Sequence, residues 1–238
     1  MAVTPYTITR ITSVWKHFSE FNNVLATKPR YINLNNELKL VPNFIQKKEN
    51  LLNIINYKKE LYKNDEHIKF FKKHIYTFPF IFSFLSRPRP LIKTFLSKII
   101  NIFNRLKFKK IAKFLALEFF KDEILYRKKL YKKHKNLLQL IIKDFIDFSE
   151  KNNFTPILLI LPVIEDLNYI KKTKDYYYKN YFNVNNSKLI NWDFSNELLN
   201  EKIIGDFFVD DIFGGHYNKR GNIKLSKFIE KKLNEISI

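Results

Sequence analysis

The sequence predicts an α/β fold with a parallel sheet covered by helices on both faces, and three observations carry that reading. Ile157 to Leu161 contains no polar residue. A strand apolar on both sides is buried on both faces, as parallel strands between helices are. A tyrosine-rich, helix-compatible segment (Tyr169 to Phe182) separates this run from a second short strand pattern, Lys188 to Asp193. A last helix begins near Asn218 and carries Leu225, Phe228, Ile229 and Leu233 on one face. Helix–strand–helix–strand–helix is the rhythm of a sheet with two covered faces. With 238 residues, 45% of them hydrophobic, the chain can fill the core such a domain needs.

The N-terminal half is expected to be helix-rich. A loop and short helix are predicted around Trp15, Phe18 and Phe21. "RYINLNNELKLV" (Arg30 to Val41) alternates apolar and polar residues on both sides of Asn35-Asn36. Asparagine tolerates the positive φ of a tight two-residue turn, so the segment predicts a hairpin. Residues 44 to 74 are lysine-rich and read as helical, with Leu51, Leu52, Ile54, Ile55 and Leu61 as the apolar face. Pro79, Pro88 and Pro90 predict a loop. From Leu91 to Phe120, apolar residues recur at helical spacing with Lys and Arg between them. That stripe is read first as packing on its own domain. Peripheral contact with an anionic membrane is the alternative. A second long helix is expected from Glu123 to Glu150, with Leu137, Leu138, Ile141, Ile142, Phe145 and Phe148 inward.

Lys+Arg 43 against Asp+Glu 23 gives a formal charge of +20. Because the lysines are scattered along the chain rather than gathered on one element, no nucleic-acid partner is expected. Without cysteine there is neither a disulfide nor a thiolate metal site. His17, His67, His74 and His134 lack a partner acid at metal-ligand spacing and read as surface or structural; no metal or cofactor is expected. Tyr176-Tyr177-Tyr178 reads as helix packing. "MAVTPYTITRITSVWK" has no signal-peptide core, and the longest apolar run, Ile75 to Leu85, is about half a bilayer span. Bacterial cytoplasm and cell envelope both stay open.

In open parallel sheets, functional groups gather beyond the carboxyl ends of the strands. Three stretches qualify: Pro162 to Asp166, Asp193 to Ser195, and Phe208 to Asn218. The last has the parts of a base, since a histidine works as one when an acid holds one ring nitrogen and the other faces the nucleophile. Gly214-Gly215 would turn the backbone tightly and return His216 toward Asp211, with Asp210 in reserve. Asn218 would cap the final helix.

"DDIFGGHYNKRGNIKLSKFIEKKL" resembles the C-terminal block of the SGNH (GDSL-type) hydrolases, where an acid precedes a histidine, a polar helix start, a glycine and a closing apolar helix. "FTPILLILPVIEDLNYI" resembles the family's late proline-ended strand, "KLINWDFSN" its following strand, and "KPRYINLNNELKLVPNF" a hairpin insert of some large bacterial members. The resemblance covers residues 150 to 238 well and 1 to 120 loosely. It implies a three-layer αβα sandwich, here partial, and one domain over 1–238. Within it, 1–120 would be the hairpin and helical insert region and 121–238 the C-terminal αβα part. It also implies a serine esterase or acyltransferase acting on an acyl ester, of carbohydrate or lipid, with His216 as base and Asp211 or Asp210 orienting it.

The chain departs from the pattern in two ways. The acid position three residues before the histidine is Phe213, and no serine follows Gly-Asp, since Gly205-Asp206 precedes Phe207. No glycine precedes Gly205 to supply an oxyanion donor. The expectation is a fragment lacking the family's N-terminal strand and nucleophile segment, inactive alone. A degenerate, non-catalytic binding member of the same fold is the alternative, and a basic amphipathic membrane-surface protein a third reading.

Overall fold

The computed structural model describes residues 1–14, 27–72, 79–86, 88–184, 188–210, 212 and 214–236. The expected helix around Trp15, Phe18 and Phe21 lies outside them, as do His17 and His74.

The chain is mixed α/β around a small parallel sheet whose strands lie in the order β1 (Ala2–Val3), β4 (Ile157–Ile160), β5 (Ile190–Asp193). β4 (Ile157–Ile160) is the middle strand. It pairs in parallel with β5 (Ile190–Asp193), Ile157 opposite Ile190, and with β1 (Ala2–Val3), Ala2 opposite Leu159. The side chains of β4 alternate between two separate cores. Leu158 and Ile160 join a cluster with Ile100, Ala116, Ile124, Tyr131, Leu138 and Ile142, from the long N-terminal helices. Ile157 and Leu159 pack on the opposite cluster of Leu167, Trp192, Phe194, Phe207 and Phe228. The all-apolar run is thus explained by cover on both faces. The pattern does not announce β1, because two residues are too few to show a period.

In the N-terminal half, α1 (Thr7–Ile11) is followed by the hairpin β2 (Arg30–Leu34) and β3 (Glu37–Val41), with Asn35 at φ 54° and Asn36 at φ 63°. Two consecutive positive φ values are what a two-residue turn matching strand twist requires. Residues 44–74 do not form the expected single amphipathic helix. They break into α2 (Lys48–Leu52), a 3-10 turn (Ile54–Tyr57), α3 (Lys58–Asn64) and α4 (His67–Lys72). Leu61 is buried but Leu52 and Ile55 are exposed. The expected proline loop is mostly helix: α5 (Phe80–Ser86) follows Pro79, and Pro88 and Pro90 start α6 (Arg89–Arg105). Proline suits a helix start, where the N–H it lacks would have no partner anyway.

The expected helices 91–120 and 123–150 are three: α6, α7 (Lys109–Lys133) and α8 (Lys135–Lys151). The breaks fall at Lys107, with φ 62°, and at His134. Neither holds a glycine or proline. Beyond β4 come α9 (Ile164–Thr173), α10 (Lys179–Phe182), β5 and α11 (Ser195–Leu199). A 3-10 turn (Ile204–Phe207), the hairpin β6 (Phe208–Asp210) and β7 (Gly214–Tyr217), and α12 (Lys219–Ile236) complete the chain.

Candidate functional site

The carboxyl ends of β1, β4 and β5 open onto a buried polar cluster that sequence reasoning missed. α7 brings Arg127 to the first turn of α9, where its Nη1 lies 3.0 Å from Asp166 Oδ1. The same carboxylate oxygen accepts from the Tyr177 hydroxyl at 2.6 Å, and the Val163 N–H points to the other at 3.4 Å. Arg127 and Asp166 are 1% and 0% exposed. Next in sequence, Glu165 Oε1 accepts from the Tyr6 hydroxyl at 2.6 Å, and the Arg127 guanidinium lies 4.0 Å above the Tyr6 ring. Tyr131 closes the cluster, donating to the Pro5 carbonyl at 3.1 Å.

Two adjacent buried acids face one buried cation, so the charges do not balance if both ionise. Burial works against the Arg127 charge, but Asp166 and the tyrosine oxygens outweigh it and hold the guanidinium protonated. Burial raises the Asp166 carboxyl, opposed by Arg127, the Tyr177 hydroxyl and the Val163 N–H. For Glu165, burial and then the Asp166 charge push the carboxyl up to about 7. The cluster therefore settles as an Arg127–Asp166 ion pair beside a Glu165 that holds its proton to near neutrality. Among the described residues Arg127 Nε and Nη2 and Glu165 Oε2 find no hydrogen-bond partner, and a cavity of about 20 Å³ lies against Arg127, Tyr6, His67 and Tyr126.

At the end of β5, Asp193 Oδ1 accepts from the Ser195 N–H at 2.9 Å and from its hydroxyl, while the Tyr178 hydroxyl lies 2.6 Å from Ser195 Oγ. Ser195 is fully buried and faces an acid and a phenol rather than a histidine. Its hydroxyl is taken up by Asp193 and Tyr178 at the first residue of α11 and does not face a substrate. Tyr177 and Tyr178 are buried as the packing reading expects, and each adds a polar bond at its tip.

His216 lies on β7, a strand rather than the expected loop, and it is exposed. Side chains alternate along a strand, and its neighbour Tyr217 turns inward to donate to the Pro162 carbonyl at 2.6 Å. That bond ties the β6–β7 hairpin to the end of β4, so two of the three stretches marked in the sequence meet. Asp210 is exposed at the end of β6, and its Oδ1 accepts from the Ile212 N–H at 2.8 Å, a local turn that seats Ile212 in the core. Asp211 and Phe213 lie outside the described residues. Asn218 caps α12 by accepting from the Gly221 N–H at 3.0 Å, and its amide donates to the Asp206 and Phe208 carbonyls at 2.9 Å.

No protein-family model, curated protein or solved structure matches the chain. Its chemistry rests on its own residues. Among the described residues no three His, Asp or Glu side chains converge to hold a metal. Of the two histidines described elsewhere, His67 is buried, and burial, then the Lys28 charge, lowers its pKa to about 4. His134 is not isolated: its Nε2 is 3.5 Å from Glu66 Oε1, a partner 68 residues away in sequence that no local spacing reveals.

One sequence signal could have found the buried pair. Only 7 of the 43 basic residues are arginines, and Arg30 and Arg127 are the buried cations; no lysine is buried among the described residues. Arginine's delocalised, weakly hydrated charge tolerates burial where lysine's does not. A lone arginine in "EILYRKKLYKK" therefore marks the inward position of a lysine-rich helix.

Proposed function

We propose that the chain carries the histidine end of an SGNH-type acyl-ester site, on a sheet that belongs to a three-layer αβα sandwich. The observation that supports this is the position of His216. It is exposed on the strand that Tyr217 fastens to the carboxyl end of β4, immediately before the final helix. An imidazole there is open to a substrate and to a nucleophile. Ser195 does not supply one, since it is buried against Asp193. Asp211 remains the acid assigned to orient His216, with Asp210 in reserve. The substrate class is an acyl ester of carbohydrate or lipid, as the resemblance of residues 150–238 implies.

The test uses an activated acetyl ester and a fluorophosphonate probe. The chain alone is expected to turn over ester no faster than free imidazole and to take up no probe. Fused to a segment carrying a Gly-Asp-Ser nucleophile after an apolar strand, it is expected to gain turnover, and His216→Ala should cut that turnover by about three orders of magnitude. Probe labelling of the chain alone, or fusion activity indifferent to His216→Ala, would overturn the reading.

A further inference from the structure

The helical hairpin of α6 and α7 is apolar on two sides. Inward, Leu96, Ile100 and Phe103 of α6 and Ala112, Ala116 and Phe120 of α7 pack into the core. Outward, Leu91, Ile92, Phe95, Ile102 and Leu106 follow one another at helical spacing along α6, all exposed. Phe95 is 64% exposed, Ile102 54%, and Phe114 on α7 60%. α5 adds Ile81, Phe82 and Leu85, each at least 70% exposed. Exposed apolar residues in such number along one helix face and its neighbours are not left to water without a use.

Charge indicates what covers it. Between His67 and Leu117 the sequence has twelve Lys and Arg and no acid. Lys98 and Arg105 flank the α6 stripe, one turn before and one turn after Ile102, and Lys107, Lys109 and Lys110 cluster at the bend into α7. Acids return at Glu118, Asp122 and Glu123, of which Glu118 pairs with Lys121 and Glu123 with Lys93. Apolar side chains on one face with cations at its margin suit the boundary of an anionic bilayer, the rings in the acyl region and the cations at the headgroups. Among the described residues no helix is long and apolar enough to cross a membrane. We infer that α5, α6 and the first turns of α7 seat the protein on the surface of an anionic phospholipid membrane. The inference does not depend on the acyl-ester reading.

Co-sedimentation of the full chain with phosphatidylcholine–phosphatidylglycerol vesicles at roughly three to one, and with pure phosphatidylcholine, tests it at ~150 mM salt. The chain is expected to bind the anionic vesicles and to bind the neutral ones at least about tenfold more weakly. Combining Phe95→Ser, Ile102→Ser and Phe114→Ser should lower binding by about tenfold or more with circular dichroism unchanged. Combining Lys98→Gln, Arg105→Gln and Lys110→Gln should lower it similarly while leaving every apolar residue in place. Should the serine variant lose its helical signal, the glutamine variant decides alone. Failure of the parent chain to bind anionic vesicles overturns the inference, as does binding that the glutamine substitutions leave unchanged. A dimer in light scattering that the serine variant dissociates, with vesicles unbound, overturns it in favour of a second copy of the chain.

Discussion

Glu165 is the residue on which the pH behaviour of the fold turns. Its carboxyl moves from the usual 4.5 to about 7 because burial disfavours its charge and the charge of Asp166, which already pairs with Arg127, stands beside it. The folded state therefore holds this proton more tightly than the unfolded chain. The stabilisation is complete below about pH 4.5 and is lost as pH rises through about 7. A shift of that size corresponds to on the order of 3 kcal/mol. Glu165→Gln, which keeps a neutral group against Tyr6, is expected to remove that dependence. Denaturant midpoints across this pH range should fall for the parent chain relative to the variant, and parallel curves would dismiss the assignment. His67 acts in the opposite sense. Lowered to about 4, it favours the fold above the usual 6.5 and loses that contribution as pH falls, so the variant should gain stability with pH where the parent does not.

At the scale of the element, α12 is held by a contact only glycine permits. A Cβ on Gly221 would lie 2.3 Å from the Phe207 carbonyl oxygen and 3.0 Å from Tyr217 Cβ. The obstacle is backbone, so it cannot swing aside, and Asn218 fastens the same turn from the other side. Gly221→Ala is expected to cost about 1–3 kcal/mol and to lower the thermal midpoint by several degrees, while Lys227→Ala on the exposed face of the same helix changes it little. Calorimetry that finds the two variants alike would count against this packing. The glycine's place in "HYNKRGN" was visible in the sequence, but its cause, the Phe207 carbonyl, was not. Elements were legible where their signal is local: the Asn35-Asn36 turn, the two-sided strand at Ile157, the capped start of α12. They were not where the signal lies in tertiary packing. Lys107 and His134 break helices without a breaker residue, Arg127 meets Asp166 across 39 positions, and β1 is two residues long. Of the candidate site, the sequence placed His216 before the last helix and Asn218 at its cap. It missed the ion pair beneath them.

For the molecule as a whole, the formal charge of +20 means like charges repel across most of the surface. The surface ion pairs, such as Lys133–Glu66 and Lys188–Glu150, are solvent-exposed and worth little each. Net repulsion therefore outweighs them, and raising salt from about 20 mM to about 300 mM is expected to raise the thermal midpoint as screening sets in. Vesicle binding should weaken over the same range. A midpoint that falls with salt would show that pairwise attractions, not net charge, dominate.

The long helix α7 joins the two ends of this picture. It starts at the exposed hairpin and reaches Arg127 five turns later, about 27 Å along its axis at the usual rise per residue. There Asp166 clamps it to the first turn after β4. A single helix thus runs from the exposed apolar hairpin to the end of β4, where Tyr217 fastens the strand that carries His216. Its residue count acts as a ruler. Inserting one turn between Lys113 and Glu123 would move Arg127 about 5.4 Å further from the hairpin and carry Ala116 and Phe120 out of their places in the core.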